Sequence, residues 1–207
     1  IEAVIPIWKP IDWTSFDVVK KLRSQIKPAK VGHAGTLDPF AEGVLILCTG
    51  KYTKQVESFM DKEKEYLAEI QLGVETDTLD PTGKVVGTAD VPRLSQDDIN
   101  LVLKGFIGEI KQEPPMFSAL KINGQPLYKL ARKGIKFPRK NRAVIIYDIQ
   151  LINFTDRTIT LKVVCGRGTY IRSLAKDIAE KLNTVGHLAN LKRTRIGEYN
   201  QSACIAV

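Results

Sequence analysis

"KEYLAEIQLG", residues 64–73, sets Tyr66, Ala68, Ile70 and Leu72 at alternate positions, with Glu65, Glu69 and Gln71 between them. A period of two predicts a strand with one face on a core and the other toward water. Twenty residues upstream, "GVLILC" (43–48) has no such alternation. A short, continuously apolar and β-rich run predicts a central strand covered on both faces. Downstream, "AVIIYDIQLINF" (143–154) and "TITLKVVC" (158–165) predict two more strands across a short polar turn, and "RTRIGEY" (193–199) is expected to close the sheet. Before and between them lie three helical patterns. "TSFDVVKKLRSQI" (14–26) and "SQDDINLVLKGF" (95–106) each open on a hydroxyl cap with an acidic first turn. "GTYIRSLAKDIAEKL" (168–182) puts Ile171, Leu174, Ile178 and Leu182 along one stripe. Strands and helices mix without regular βαβ alternation, so the predicted class is α+β around a mixed or antiparallel sheet.

At 207 residues and 43% hydrophobic, the chain can bury a substantial core, as one large domain or two small ones, and the reading taken is a single domain, 1–207. No run approaches the roughly 20 apolar residues of a membrane span, and "IEAVIPIWKP" has no cationic segment leading into an apolar one. Cys48, Cys165 and Cys204 are odd in number and widely spaced. That pattern argues for a reducing, cytoplasmic location and against a disulfide framework or thiolate zinc site. With His33 and His187 as the only histidines, a histidine-built metal site or a Ser-His-Asp triad has little material. Net charge is +8, unevenly spread: residues 105–207 carry 18 cations against 7 anions. Such asymmetry suits a polyanion-binding face on the second half, or simply a solvated basic surface.

"QEPPMFSALKINGQPLYKLARKGIKFPRKNR" (112–142) breaks the pattern with four prolines, and from Lys129 to Arg142 it holds seven cations and no anion. A loop of that length within a compact domain is usually functional or disordered, so nucleic-acid contact stands against a plain mobile loop. Phe117, Tyr128 and Phe137 interleave with the cations, a mixture suited to stacking on bases while pairing with phosphates.

One carboxylate stands out in "KVGHAGTLDPFAEGVLIL" (30–47): Asp38, between turn chemistry and the buried strand. Asp-Pro commonly just starts a turn. A rigid strand beside it can also aim the carboxylate at a ligand. The segment "GHAGTLDPFAEGVLILCTGKYTK" resembles the signature of the TruB family of pseudouridine synthases. In the same order, "WKPIDWTSFDVV" (8–19), "KEYLAEIQLGVETDTLDPTGKV" (64–85), the 112–134 stretch and "RGTYIRSLAKDIAEKL" (167–182) resemble that family too, over nearly the whole chain. The resemblance implies the pseudouridine synthase fold, an eight-stranded, mostly antiparallel mixed sheet with flanking helices and a central cleft. It implies isomerisation of uridine 55 in the TΨC loop of tRNA. Asp38 falls on the family's nucleophile, Tyr66 on its base-stacking tyrosine and Arg172 on the arginine that pairs with the aspartate. His33 matches the histidine that enters the space left by everted bases, and Lys9, Tyr170 and Leu191 match other pocket positions. The 112–142 segment, with Lys129, Arg132 and Lys133, corresponds to the RNA-binding thumb. Many bacterial members carry a C-terminal PUA domain, and no such domain is expected within this sequence.

The reaction breaks C1′–N1 and makes C1′–C5 within one nucleotide, so it implies no cofactor and no metal; the sequence shows neither a P-loop nor a dinucleotide fingerprint. It needs one ionised carboxylate near the sugar, as nucleophile at C1′ or as base at C2′. An apolar cleft disfavours a bare carboxylate, and Arg172 can hold it through two parallel hydrogen bonds. Tyr66 can stack on the uracil, or simply belong to the core. Expected partners are tRNA alone, with no membrane, no guide RNA and no obligate protein, for a monomer. Alternatives kept open are a guide-RNA-dependent relative, a tRNA-folding chaperone and, with no marked second carboxylate, a glycoside hydrolase.

Overall fold

The apolar run at 43–48 forms a strand with every side chain from residue 43 to 49 buried, and the reason is visible on both sides of it. In the computed structural model, which describes residues 2–26, 30–122 and 124–207, Leu45 and Leu47 pack with Ile7, Val18, Val19 and Leu22 on one face. Val44, Ile46 and Cys48 pack with Phe59 and Ile196 on the other.

Chain order is β1 (Val4–Lys9), α1 (Ser15–Ile26), β2 (Val31–His33), β3 (Glu42–Thr49), α2 (Val56–Asp61), β4 (Lys64–Leu72), β5 (Val74–Thr76), β6 (Val85–Thr88), α3 (Gln96–Lys104), β7 (Gly108–Gln112), β8 (Lys121–Ile122), β9 (Gln125–Pro126), α4 (Leu127–Arg132), β10 (Arg142–Phe154), β11 (Thr158–Cys165), α5 (Ile171–Lys181), β12 (Gly186–Ile196), β13 (Tyr199–Asn200) and β14 (Ile205–Ala206). Eight strands follow one path, β14-β1-β3-β12-β4-β11-β10-β7, with β2 and β13 pairing onto β3 and β12. Among the described residues only β1 with β14 and β3 with β12 run parallel; the other pairs in the sheet are antiparallel. This is the mixed, mostly antiparallel α+β sheet expected.

β4 shows the predicted alternation, with Lys64, Tyr66, Ala68, Ile70 and Leu72 buried. That face meets α3 and α5 through Ile99, Leu103, Leu174 and Ile178, in the largest core cluster. Both predicted caps form. Thr14 and Asp17 bond each other reciprocally before α1, as Ser95 and Asp98 do before α3.

Three expectations shift. α5 begins at Ile171 rather than 168, because Gly168 has φ +80 and Thr169 turns back to the Gly166 carbonyl. The closing strand is longer than 193–199 and starts at Gly186; Gly197, at φ +52, ends it. Finally, the 112–142 segment is not a plain loop: β8, β9 and α4 lie within it. Among the described residues no helix is long and apolar enough to cross a membrane.

Candidate active site

Asp38 lies on the turn between β2 and β3, which is pinned from several sides. Ala34 N–H donates to the Ile46 carbonyl (2.9 Å), and Ala41 N–H to that of Asp38 (3.1 Å). From α1, buried Ser15 accepts the Leu37 N–H at 3.0 Å and donates to the Leu37 carbonyl at 3.3 Å. Asp12 N–H reaches the Pro39 carbonyl at 2.7 Å. Beneath lies Lys9, fully buried, whose ammonium donates to the carbonyls of Pro10 (2.8 Å), Trp13 (2.6 Å) and Pro39 (3.3 Å). Burial, with the nearby Arg193 charge, lowers its pKa to about 8.

The partner of Asp38 comes from the first turn of α5. Arg172 donates Nε to Asp38 Oδ2 at 2.8 Å and Nη2 to Oδ1 at 3.2 Å. Its remaining reach is occupied as well: Nη1 bonds the Thr78 carbonyl (3.0 Å) and Nη2 that of Phe117 (2.9 Å). Arg172 is 4% exposed while the Asp38 side chain is 29% exposed. The guanidinium is therefore locked inside, and the carboxylate it aims is open to the cavity. Fork-to-fork geometry of this kind fixes an angle as well as a distance.

That cavity holds about 640 Å³, room for a nucleotide. Tyr66, Leu191 and Arg193 line it from adjacent strands, and Thr78 and Asp80 from the β5–β6 connection. Phe117, Tyr128 and Arg132 line it from the 112–142 segment. Asp80 organises its own turn, accepting from Thr78 Oγ1 (2.7 Å), Thr82 N (2.9 Å) and Thr82 Oγ1 (2.6 Å). Tyr170 caps α5 and exchanges backbone bonds with the Gln112 amide at 2.8 and 3.0 Å. Tyr66 is nearly buried; burial raises its hydroxyl pKa and the adjacent Arg193 acts against that rise.

Of the residues singled out from sequence, Asp38, Tyr66, Arg172, Tyr170, Leu191 and Arg132 meet at this cavity. Lys9 does not line it: with no exposed surface, it holds the Asp38 turn from below. His33 ends β2 outside the lining; its Nδ1 is buried without a hydrogen-bond partner, and burial lowers its pKa. Lys129 and Lys133 stand exposed on or just after α4, also outside the lining, whereas Arg132 stacks on Tyr128 at 5.4 Å. The sequence reading missed Lys64 and Arg193. Both are cations at inward positions of alternating strands, which is the pattern that betrays them. Lys64 donates to the Met60 carbonyl, and burial lowers its pKa to about 8. Among the described residues, no three His, Cys, Asp or Glu side chains gather to hold a metal ion.

Residues 23–171 match the family model described as "TruB family pseudouridylate synthase (N terminal domain)". A curated "tRNA pseudouridine synthase B" from Clostridium kluyveri is 48% identical over all of this chain and 71% of its own length. A relative of the same name from Phocaeicola vulgatus is 45% identical over 96% of this chain and 87% of its own. Among solved structures, a chain of a Cbf5–Nop10–Gar1 complex aligns with TM-score 0.76 and 31% identity over 99% of this chain. A chain of an H/ACA ribonucleoprotein bound to a substrate RNA containing 2′-deoxyuridine aligns with TM-score 0.72 and 29% identity over 98%. This chain spans about half the length of those two, 52% and 50%.

Proposed function

The chain belongs to the TruB family of pseudouridylate synthases, and on that premise we propose that it isomerises uridine 55 in the TΨC loop of tRNA to pseudouridine, acting alone and without a cofactor. One observation carries the reading: a carboxylate held bidentately by a buried arginine faces a nucleotide-sized cleft that a tyrosine also lines.

The chemistry follows from that arrangement. The target uridine leaves its stack at a cost of about a few kcal/mol and enters the cleft. Asp38 then acts at the ribose, by attack on C1′ or by taking a proton from C2′. C1′–N1 breaks, the uracil turns, C1′–C5 forms, C5 loses a proton and N1 gains one, so nothing is consumed. Arg172 cannot drift from Asp38 without abandoning two carbonyls as well. Tyr66 stacks on the uracil, worth about 1–3 kcal/mol, and its hydroxyl helps carry the C5 proton. Leu191 and Tyr170 enclose the base. His33, five residues before Asp38, fills the space the uridine leaves in the RNA rather than touching the everted base. Arg132, Lys129 and Lys133 contact phosphates around the entry, with 112–142 as the thumb of a single catalytic domain.

tRNA labelled with tritium at uridine C5 is expected to release it to water with this protein alone, and Asp38→Asn to abolish release while tRNA still binds. Release surviving Asp38→Asn removes the carboxylate from the mechanism. The solved neighbours from multi-component assemblies give the second reading, a guide-dependent enzyme. It predicts no release until guide RNA is added.

A further inference from the structure

Arg193 is 2% exposed, the largest fully buried side chain among the described residues, and sits on β12 between β3 and β4. On one side it pairs with Tyr66 across β12 and β4; on the other it pairs with Gly43 across the parallel β12 and β3. Its Nε donates to the Val44 carbonyl at 2.8 Å, Nη2 to that of Gly35 at 3.2 Å and Nη1 to that of Thr36 at 3.4 Å. Gly35 and Thr36 belong to the turn that presents Asp38. No carboxylate among the described residues pairs with this guanidinium, although Lys9 and Lys64 are buried near it and feel its charge.

A brace for a turn does not require a charge. An amide side chain can also bond carbonyls, without the cost of hiding a cation that lacks an anion. What the charge adds falls on its direct cross-strand partner, Tyr66, which lines the same cavity; in line with that placement, Arg193 opposes the burial-driven rise of the Tyr66 pKa.

We propose that Arg193 is a positioning residue for the isomerisation: it braces the Asp38 turn through Gly35 and Thr36 and polarises the Tyr66 hydroxyl that moves the C5 proton. This rests on the function proposed above. In that step the C5–H bond breaks and its electron pair restores the C5–C6 double bond. The proton passes to the Tyr66 oxygen as the phenol's own proton leaves through water, and N1 takes a proton from water. A fixed cation beside the oxygen eases departure of the phenolic proton.

The experiment is a double-mutant cycle on the full chain, read by single-turnover tritium release from tRNA. Arg193→Gln keeps N–H donors and drops the charge; Arg193→Lys keeps the charge and drops the fork. Arg193→Gln is expected to slow release about tenfold beside Tyr66, and less than about twofold in the Tyr66→Phe background. It also moves the alkaline rise of the pH–rate profile to higher pH, and Arg193→Lys restores the profile in part. An equal loss in both backgrounds, with an unmoved pH profile, overturns the proposal and leaves a turn brace. If Tyr66→Phe is itself silent, the pH profiles of the two Arg193 variants decide alone. No release from the unmutated protein fails the underlying function instead.

Discussion

The floor of the cleft and the 112–142 segment are both rich in cations, and they hold them in opposite ways. Lys9, Lys64, Arg172 and Arg193 are each no more than 6% exposed, with their donors on named oxygens. Lys129, Arg132, Lys133, Lys136 and Lys140 stand in solvent. Buried cations act over a few ångströms at fixed angles, and salt does not reach them. Exposed cations act over about a Debye length, roughly 8–10 Å, and salt weakens them directly. The first arrangement suits bond-making and the second suits gathering a polyanion, so damage to each should show in different constants.

The sharpest way to break this contrast is at Arg172. Arg172→Ala leaves Asp38 unaimed and two carbonyls unpartnered, and is expected to lower kcat about 1,000-fold while tRNA affinity stays within about threefold. Rapid-quench turnover and filter binding measure the two constants. A loss confined to affinity would place Arg172 with the exposed cations instead.

Next is the support beneath the floor. Gly43 has φ +130, and a Cβ there would stand 2.3 Å from the Arg193 carbonyl oxygen. Only glycine lets β3 approach β12 this closely. Gly43→Ala is expected to destabilise the fold by about 3 kcal/mol, read from urea unfolding, through backbone strain and displacement of Arg193. A cost under about 1 kcal/mol would show that the floor tolerates movement and weaken the claim that its geometry matters.

The same contrast explains what could be read from sequence. β4 and β3 were legible because alternation and its absence report one buried face or two. The caps at Thr14 and Ser95 were legible because they involve neighbours. β1 was not predicted: Pro6 interrupts it, and its pairing with β3 comes from 34 or more residues away. The first half of β12 escaped because Gly186 and His187 are buried there beside a bulge, which spoils the period. In the site, Asp38 stood out from its place between a turn and a buried strand, but its role and the choice of Arg172 came from resemblance, since their bond joins residues 134 apart. Lys9 came from resemblance as a pocket position, and its sequence surroundings give no sign that its ammonium donates to three carbonyls.

The third perturbation moves to the exposed side. Replacing Lys129, Arg132 and Lys133 with alanine together is expected to raise KM about tenfold, leave kcat within about twofold and cut the slope of log affinity against log salt by about 2. Steady-state assays across a salt series measure this. A fall in kcat instead would mean that this segment shapes the reacting geometry, and the division between the two regions would blur.

The smallest effect lies at their seam. Glu113, at the start of the basic segment, pairs with Arg139 at 2.7 Å and accepts the Ser173 hydroxyl of α5 at its carbonyl, also at 2.7 Å. One turn along α5, burial raises the pKa of Asp177 to about 6; Glu180 and Glu113 add to the rise and Lys176 opposes it. The unfolded carboxyl titrates near 3.8, so between those values the native chain binds more protons than the unfolded one. Stability is then favoured at low pH and lost as pH climbs through about 6. Asp177→Asn removes that penalty. It should be more stable than the unmutated chain by about 1–2 kcal/mol at pH 8, and equal to it near pH 4, by urea unfolding at both. A gain of the same size at both pH values would trace the effect to packing. A loss at pH 8 would mean that the carboxylate has a favourable partner across the seam, tying the cationic segment to the floor more tightly than their contrast allows.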